Sequence, residues 1–118
     1  MKKLLVVFCF MSLLSCEDII EVVDISESTV SVLAPTNDAV LNMNNLTFTW
    51  EAVEDAENYK LQIATPTFNE AIQIVVDTTL TSLNYIDTLE NGDYEWRIRA
   101  ENSDYQTAYT TQSFSIEQ

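Results

Sequence analysis

Residues 89–102 read LENGDYEWRIRAEN, and their alternation points to the class of the whole chain. Tyr94, Trp96, Ile98 and Ala100 alternate with Glu95, Arg97 and Arg99. Only an extended strand turns a period of two into one apolar and one polar face. Working outward, Asn45–Trp50 alternates in the same way, with Leu46, Phe48 and Trp50 on one side and Thr47 and Thr49 on the other. Tyr59–Ile63 and Ile72–Val76 follow suit, and Val30–Val32, Leu83–Tyr85 and Phe114–Ile116 add shorter segments. Asn, Asp, Thr, Pro and Gly punctuate the intervals. Seven short half-buried strands and no helical stripe predict an all-β fold, a seven-stranded antiparallel β-sandwich over residues 28–118.

The order of these residues resembles a fibronectin type III domain, an immunoglobulin-like sandwich. Trp50 stands where that family keeps a core tryptophan late in its second strand, and Tyr59–Ile63 resembles its third strand. Leu89–Asn102 resembles the loop and sixth strand. The resemblance implies that Tyr94 is a corner tyrosine whose hydroxyl returns to upstream backbone, with Leu89 packed beneath it and Trp96 in the core. Gly92, the chain's one glycine, is expected to take a turn conformation costly to other residues. No Arg-Gly-Asp precedes the last strand, so integrin-type adhesion is not implied.

The other end of the chain is an address. Met1-Lys2-Lys3 is a basic start, and Leu4–Leu14 is an apolar run of eleven residues, too short to span a bilayer, which takes about 20. Such a pattern is a secretory signal. Leu13-Leu14-Ser15-Cys16 resembles the bacterial lipobox, which implies a signal peptide over residues 1–15 and lipid on Cys16; the alternative is a plain signal cut near Ser15. Residues 16–27, with five acids among Ile and Val in EDIIEVVDISE, read as an acidic tether. Glu17-Asp18 resembles the export signal of surface-exposed lipoproteins of Bacteroidota, so an outer-membrane lipoprotein facing the cell surface is expected, with the periplasmic face as the alternative. Cys9 leaves with the signal and Cys16 carries lipid, so no disulfide is expected in the domain.

Composition excludes several chemistries. Without histidine there is no Ser-His-Asp triad and no imidazole metal site. One glycine cannot build a phosphate-cradling loop. A net charge of −14 argues against nucleic acid, which needs clustered Lys and Arg. All nineteen acids lie after Cys16 and only three cations do, so the mature chain carries −16. Carboxylates are the one catalytic raw material, in Glu54, Asp55 and Glu57 and in Asp87, Glu90 and Asp93. Glycoside hydrolysis needs two of them facing across a cleft, which loops of this size do not promise. Calcium would need several converging oxygens, and the spacing resembles no calcium loop. Solvated turn acids are the expectation: no enzyme, no metal, no cofactor.

Contact candidates remain. Phe68, Tyr105 and Tyr109 lie in loops beside polar residues, where aromatic rings stack on sugars or anchor a protein, or simply cap the core. Lys60, Arg97 and Arg99 are the mature chain's only cations, and neighbouring third and sixth strands would bring them to one outward face, where they would form a cross-strand charged ladder with Glu95 and Gln62. Edge strands also accept a partner strand. Asp77-Thr78-Thr79 and Asp87-Thr88-Leu89 resemble short O-glycosylation sites of Bacteroidota. The expected function is a non-catalytic envelope module, carried by the sandwich and its tether, alone or in a complex. It would be an accessory subunit docking on a membrane complex or, alternatively, a glycan-binding lipoprotein of a polysaccharide-uptake system. Trp50 and Trp96 are both expected in the core, which weighs against a dedicated sugar platform.

Overall fold

The computed structural model describes residues 21–118, and Cys16 with the signal segment lies outside them. Eight strands form: β1 (Val32–Ala34), β2 (Ala39–Leu41), β3 (Asn45–Trp50), β4 (Asn58–Thr65), β5 (Gln73–Leu80), β6 (Asn84–Thr88), β7 (Gly92–Glu101) and β8 (Thr110–Ile116). They make two sheets, β1-β3-β6 and β2-β8-β7-β4-β5. β7 buries Tyr94, Trp96, Ile98 and Ala100 and leaves Glu95, Arg97 and Arg99 half-buried on the outside, as its alternation demands. β3 and β4 bury Leu46, Phe48, Trp50, Tyr59, Leu61 and Ile63.

The inner faces meet through aromatic rings. Phe48 lies edge-on to Trp96 at 5.0 Å between centroids and to Phe114 at 5.8 Å. Trp50 packs between Tyr59 and Trp96, and Tyr94 stacks on Phe114 at 5.2 Å. Tyr94 Oη donates to the Glu90 carbonyl at 2.7 Å, four residues upstream, and buried Leu89 lies beside it in sequence. Leu89 is pinned by Asn44, whose carbonyl accepts its N–H and whose amide donates to its carbonyl. Gly92 has φ of +155°, a backbone that side chains rarely adopt, while a Cβ there would make only ordinary contact with the Tyr94 ring at 3.8 Å. The requirement for glycine is therefore conformational.

The architecture departs from the seven-strand expectation in four places. β2 was not anticipated, and it pairs parallel with β8, so the larger sheet is mixed rather than purely antiparallel. Three residues show no period; Ala39–Leu41 is a strand only because β8 offers an edge, after a turn in which Asp38 takes φ of 65° and bonds Ser113. The first strand lies at Val32–Ala34 rather than Val30–Val32, since Val30 already plugs the core. β5 runs Gln73–Leu80 rather than Ile72–Val76: Ile72 precedes the strand and is 86% exposed. β6 runs Asn84–Thr88, beyond the expected Leu83–Tyr85, because β3 pairs along its whole length.

Ile25, inside the segment read as tether, is only 2% exposed. The Ser28 N–H to Ile25 carbonyl bond closes a turn, and Asp24 accepts from the Ser26 backbone and hydroxyl. The packed unit thus starts at Ile25. Ahead of it, the Asn102 amide donates to the Val23 carbonyl at 2.8 Å, so Val23 lies at the pole where β7 ends.

Two outcomes follow from this packing. Ile25→Ala should lower unfolding free energy by about 2–5 kcal/mol, the cost of an aliphatic core truncation. Chemical denaturation measures it; a neutral result would return residue 25 to the tether. Burial, aided by the Asp87 carboxylate that accepts its hydroxyl at 2.8 Å, pushes Tyr85 from the ordinary 10 up to about 12. A neutral phenol favoured in the fold contributes fully below pH 10, and that contribution is lost as pH rises through 12. Stability should therefore fall across this window, and Tyr85→Phe should flatten the fall in denaturation series taken at each pH.

Candidate functional site

The outer face of the larger sheet gathers the chain's charge chemistry. β4 and β7 are antiparallel neighbours, with Lys60 opposite Arg99 and Gln62 opposite Arg97. Outward positions alternate with core positions, so Lys60, Arg97 and Arg99 share this face. Each cation has a partner. Lys60 Nζ lies 2.9 Å from Asp77 on β5, and Arg99 Nε donates to Glu101 at 2.8 Å. The Asp77 carboxylate raises Lys60 above the usual lysine range, and Lys60, with Gln62, holds Asp77 below the usual carboxylate range. Arg97 Nε donates to Gln62 Oε1 at 2.8 Å.

Arg97 is also enclosed by rings. Its guanidinium carbon lies 4.1 Å from the Phe68 centroid and 4.3 Å from the Tyr109 centroid, and Arg99 lies 4.7 Å from Tyr109. Phe68 belongs to the β4–β5 loop at one pole and Tyr109 to the β7–β8 loop at the other, so two distant loops converge on the middle of β7. Glu95 fixes the first loop by accepting the Phe68 backbone N–H at 2.9 Å. A weakly hydrated planar cation between π faces is well suited to this position. Both rings are half-buried rather than free platforms.

Tyr105 lies apart. It is exposed on a turn held by Asn102, whose Oδ1 accepts the Asp104 and Tyr105 N–H groups, at the pole where Val23 lies. The acids named from sequence disperse as well. Glu54, Asp55 and Glu57 occupy the β3–β4 loop, Asp87 bonds Tyr85, and Glu90 and Asp93 flank the start of β7 at the opposite pole. No three metal-ligating side chains converge among the described residues. Thr78 is half-buried opposite Leu61, whereas Thr88 is exposed.

Sequence reasoning put the three cations on one face in a ladder with Glu95 and Gln62, but missed Asp77 as the partner of Lys60 and the convergence of Phe68 with Tyr109 on Arg97. Pairing across strands depends on register, and aromatic spacing in loops carries no period.

The chain matches no family model and no curated protein sequence. Solved structures do resemble it. The fibronectin(III)-like modules of CbhA from Clostridium thermocellum align with a TM-score of 0.55 at 15% identity, over 75% of this chain and 96% of theirs. A Fn3-like protein from the same organism aligns at 0.53 and 18% identity, over 77% and 94%. A fibronectin type III domain derived from human KIAA0970 protein aligns at 0.50 and 12%, over 75% and 70%. At these identities the likeness establishes the fold: an all-β, fibronectin type III-like sandwich of two sheets.

Arg97→Lys keeps the charge but loses the planar surface between the rings, so it should destabilise the domain by about 1 kcal/mol. Amide exchange in the 66–72 loop should quicken in the same variant. Unchanged exchange would mean that the Glu95 bond alone holds the loop.

Proposed function

We propose that this chain is a non-catalytic cell-envelope lipoprotein presenting one fibronectin type III-like sandwich as a binding or assembly module, an accessory subunit that docks on a membrane complex. The observation that carries the reading is the outer face of the larger sheet. It collects Lys60, Arg97 and Arg99 with Asp77, Glu95 and Glu101, so it is locally near neutral on a very acidic chain. With charges of both signs matched in number, this face lets a partner of either charge pack without net repulsion. The lipobox-like Cys16 supports membrane attachment, since two or more acyl chains hold a protein stably on a bilayer.

The glycan reading has less support. Phe68 and Tyr109 each give a ring face to Arg97, and Trp50 and Trp96 are in the core. Of the three loop aromatics only Tyr105 is exposed.

Purification of the chain from its own membrane, compared with Cys16→Ala, is the test. The wild type should partition with membrane and bring a stoichiometric protein, while Cys16→Ala should become soluble. A variant that stays membrane-bound at unchanged mass would sink the lipoprotein reading. Protease added to intact cells should remove the domain; protection would place it on the periplasmic face.

A further inference from the structure

β5 and β6 form the sheet edges along one side of the sandwich. Among the described residues β5 pairs only with β4, so its other flank is an open edge there. Native sheets guard such edges with lysine, proline or bulges. β5 contains no lysine, arginine or proline, and its single charge, Asp77, is already bonded to Lys60. One register slip interrupts the pairing near Val75; from Val76 to Leu80 the strand is regular opposite Tyr59–Ile63. Apolar side chains stand exposed beside it: Ile72 at 86% and Ile74 at 47%, with Ile86 on the β6 edge at 62%. Between the strand and the β6–β7 loop lies a cavity of about 400 Å³, lined by Thr65, Gln73, Val75, Thr88, Glu90 and Asn91.

Charge selects what fits there. Nineteen acids stand against five cations in the whole chain, and the three cations of the sandwich are each engaged on the outer face. An acidic strand approaching β5 is repelled, and so is a second copy of this chain. Antiparallel self-pairing about Thr78 would also set the two copies of Val23 at opposite poles, against attachment to one membrane. We propose that β5 is the docking edge of the module and accepts, by strand addition, an extended lysine- or arginine-bearing segment of a protein partner. Backbone bonds form along Val76–Leu80, an apolar partner side chain covers Ile74, and a cationic one enters the cavity beside Glu90. This rests on the docking function proposed above and names its edge and the partner's chemistry.

The experiment uses the full chain in detergent and a short synthetic peptide alternating threonine and valine between lysine ends, with a glutamate-ended counterpart. The lysine peptide should bind about tenfold or more tightly than the glutamate peptide, weaken with salt and slow amide exchange at Val76–Leu80. N–H groups along an edge strand alternate between its neighbour and solvent. One of Thr78→Pro and Thr79→Pro therefore removes an outward donor and keeps the β4 ladder; the one with wild-type melting should lose about tenfold in lysine-peptide binding. If neither folds, Thr79→Lys keeps every donor, adds the missing guard and should show the same loss. Equal binding of the two peptides, undiminished binding by the folded variant, or dimerisation through β5 without peptide would overturn the proposal. A membrane-copurified partner that protects amides elsewhere would overturn this edge and leave the docking function standing; copurification of no protein would overturn the docking function itself.

Discussion

Phe48 from one sheet meets Trp96 from the other at 5.0 Å, and the two layers of the sandwich are held on this contact and the rings around it. Both cysteines of the chain precede the domain, at positions 9 and 16, so no covalent bridge joins the sheets. Aromatic side chains are large enough to cross the roughly 10 Å between packed sheets and still touch. Their polar ends must also be placed. Trp96 Nε1 reaches the Pro35 carbonyl at 3.3 Å, where the chain passes from β1 to β2. Trp50 Nε1 is buried without a partner among the described residues, a local cost accepted for the volume its ring fills.

The charge distribution follows from the same arrangement. Inward alternation of β4 and β7 sends Lys60, Gln62, Arg97 and Arg99 outward together, and antiparallel register sets them opposite one another. β5 then brings Asp77 within reach of Lys60. The result is one face where charges are matched, while loops at both poles carry unmatched acids. Coulomb repulsion among those acids weakens with salt, whereas the stacked Arg97, screened on both sides by rings, responds less.

Much of this was legible in the chain. Alternation in Tyr94–Ala100, Leu46–Trp50 and Tyr59–Ile63 is strong because each segment has one face in the core and one outside. The edge strands were read less well. β5 has side chains partly exposed on both faces, so its period blurs and its limits moved from Ile72–Val76 to Gln73–Leu80. β2 is too short to have a period at all. Ile25 sits among acids and β-branched residues that look like spacer, and nothing local marks it as a core residue.

Readable in the chain alone are the fold class, the inward and outward faces of the central strands, the excess of negative charge, and the exclusion of histidine chemistry. These depend on residue type and on a period of two, both local properties. Folding adds that β2 runs parallel to β8, that Ile25 plugs the core, that Phe68 and Tyr109 close on Arg97 from opposite poles, and that among the described residues β5 has an open edge. Those depend on which strands become neighbours and in what register, and contacts between residues far apart in the chain leave no mark in local spacing.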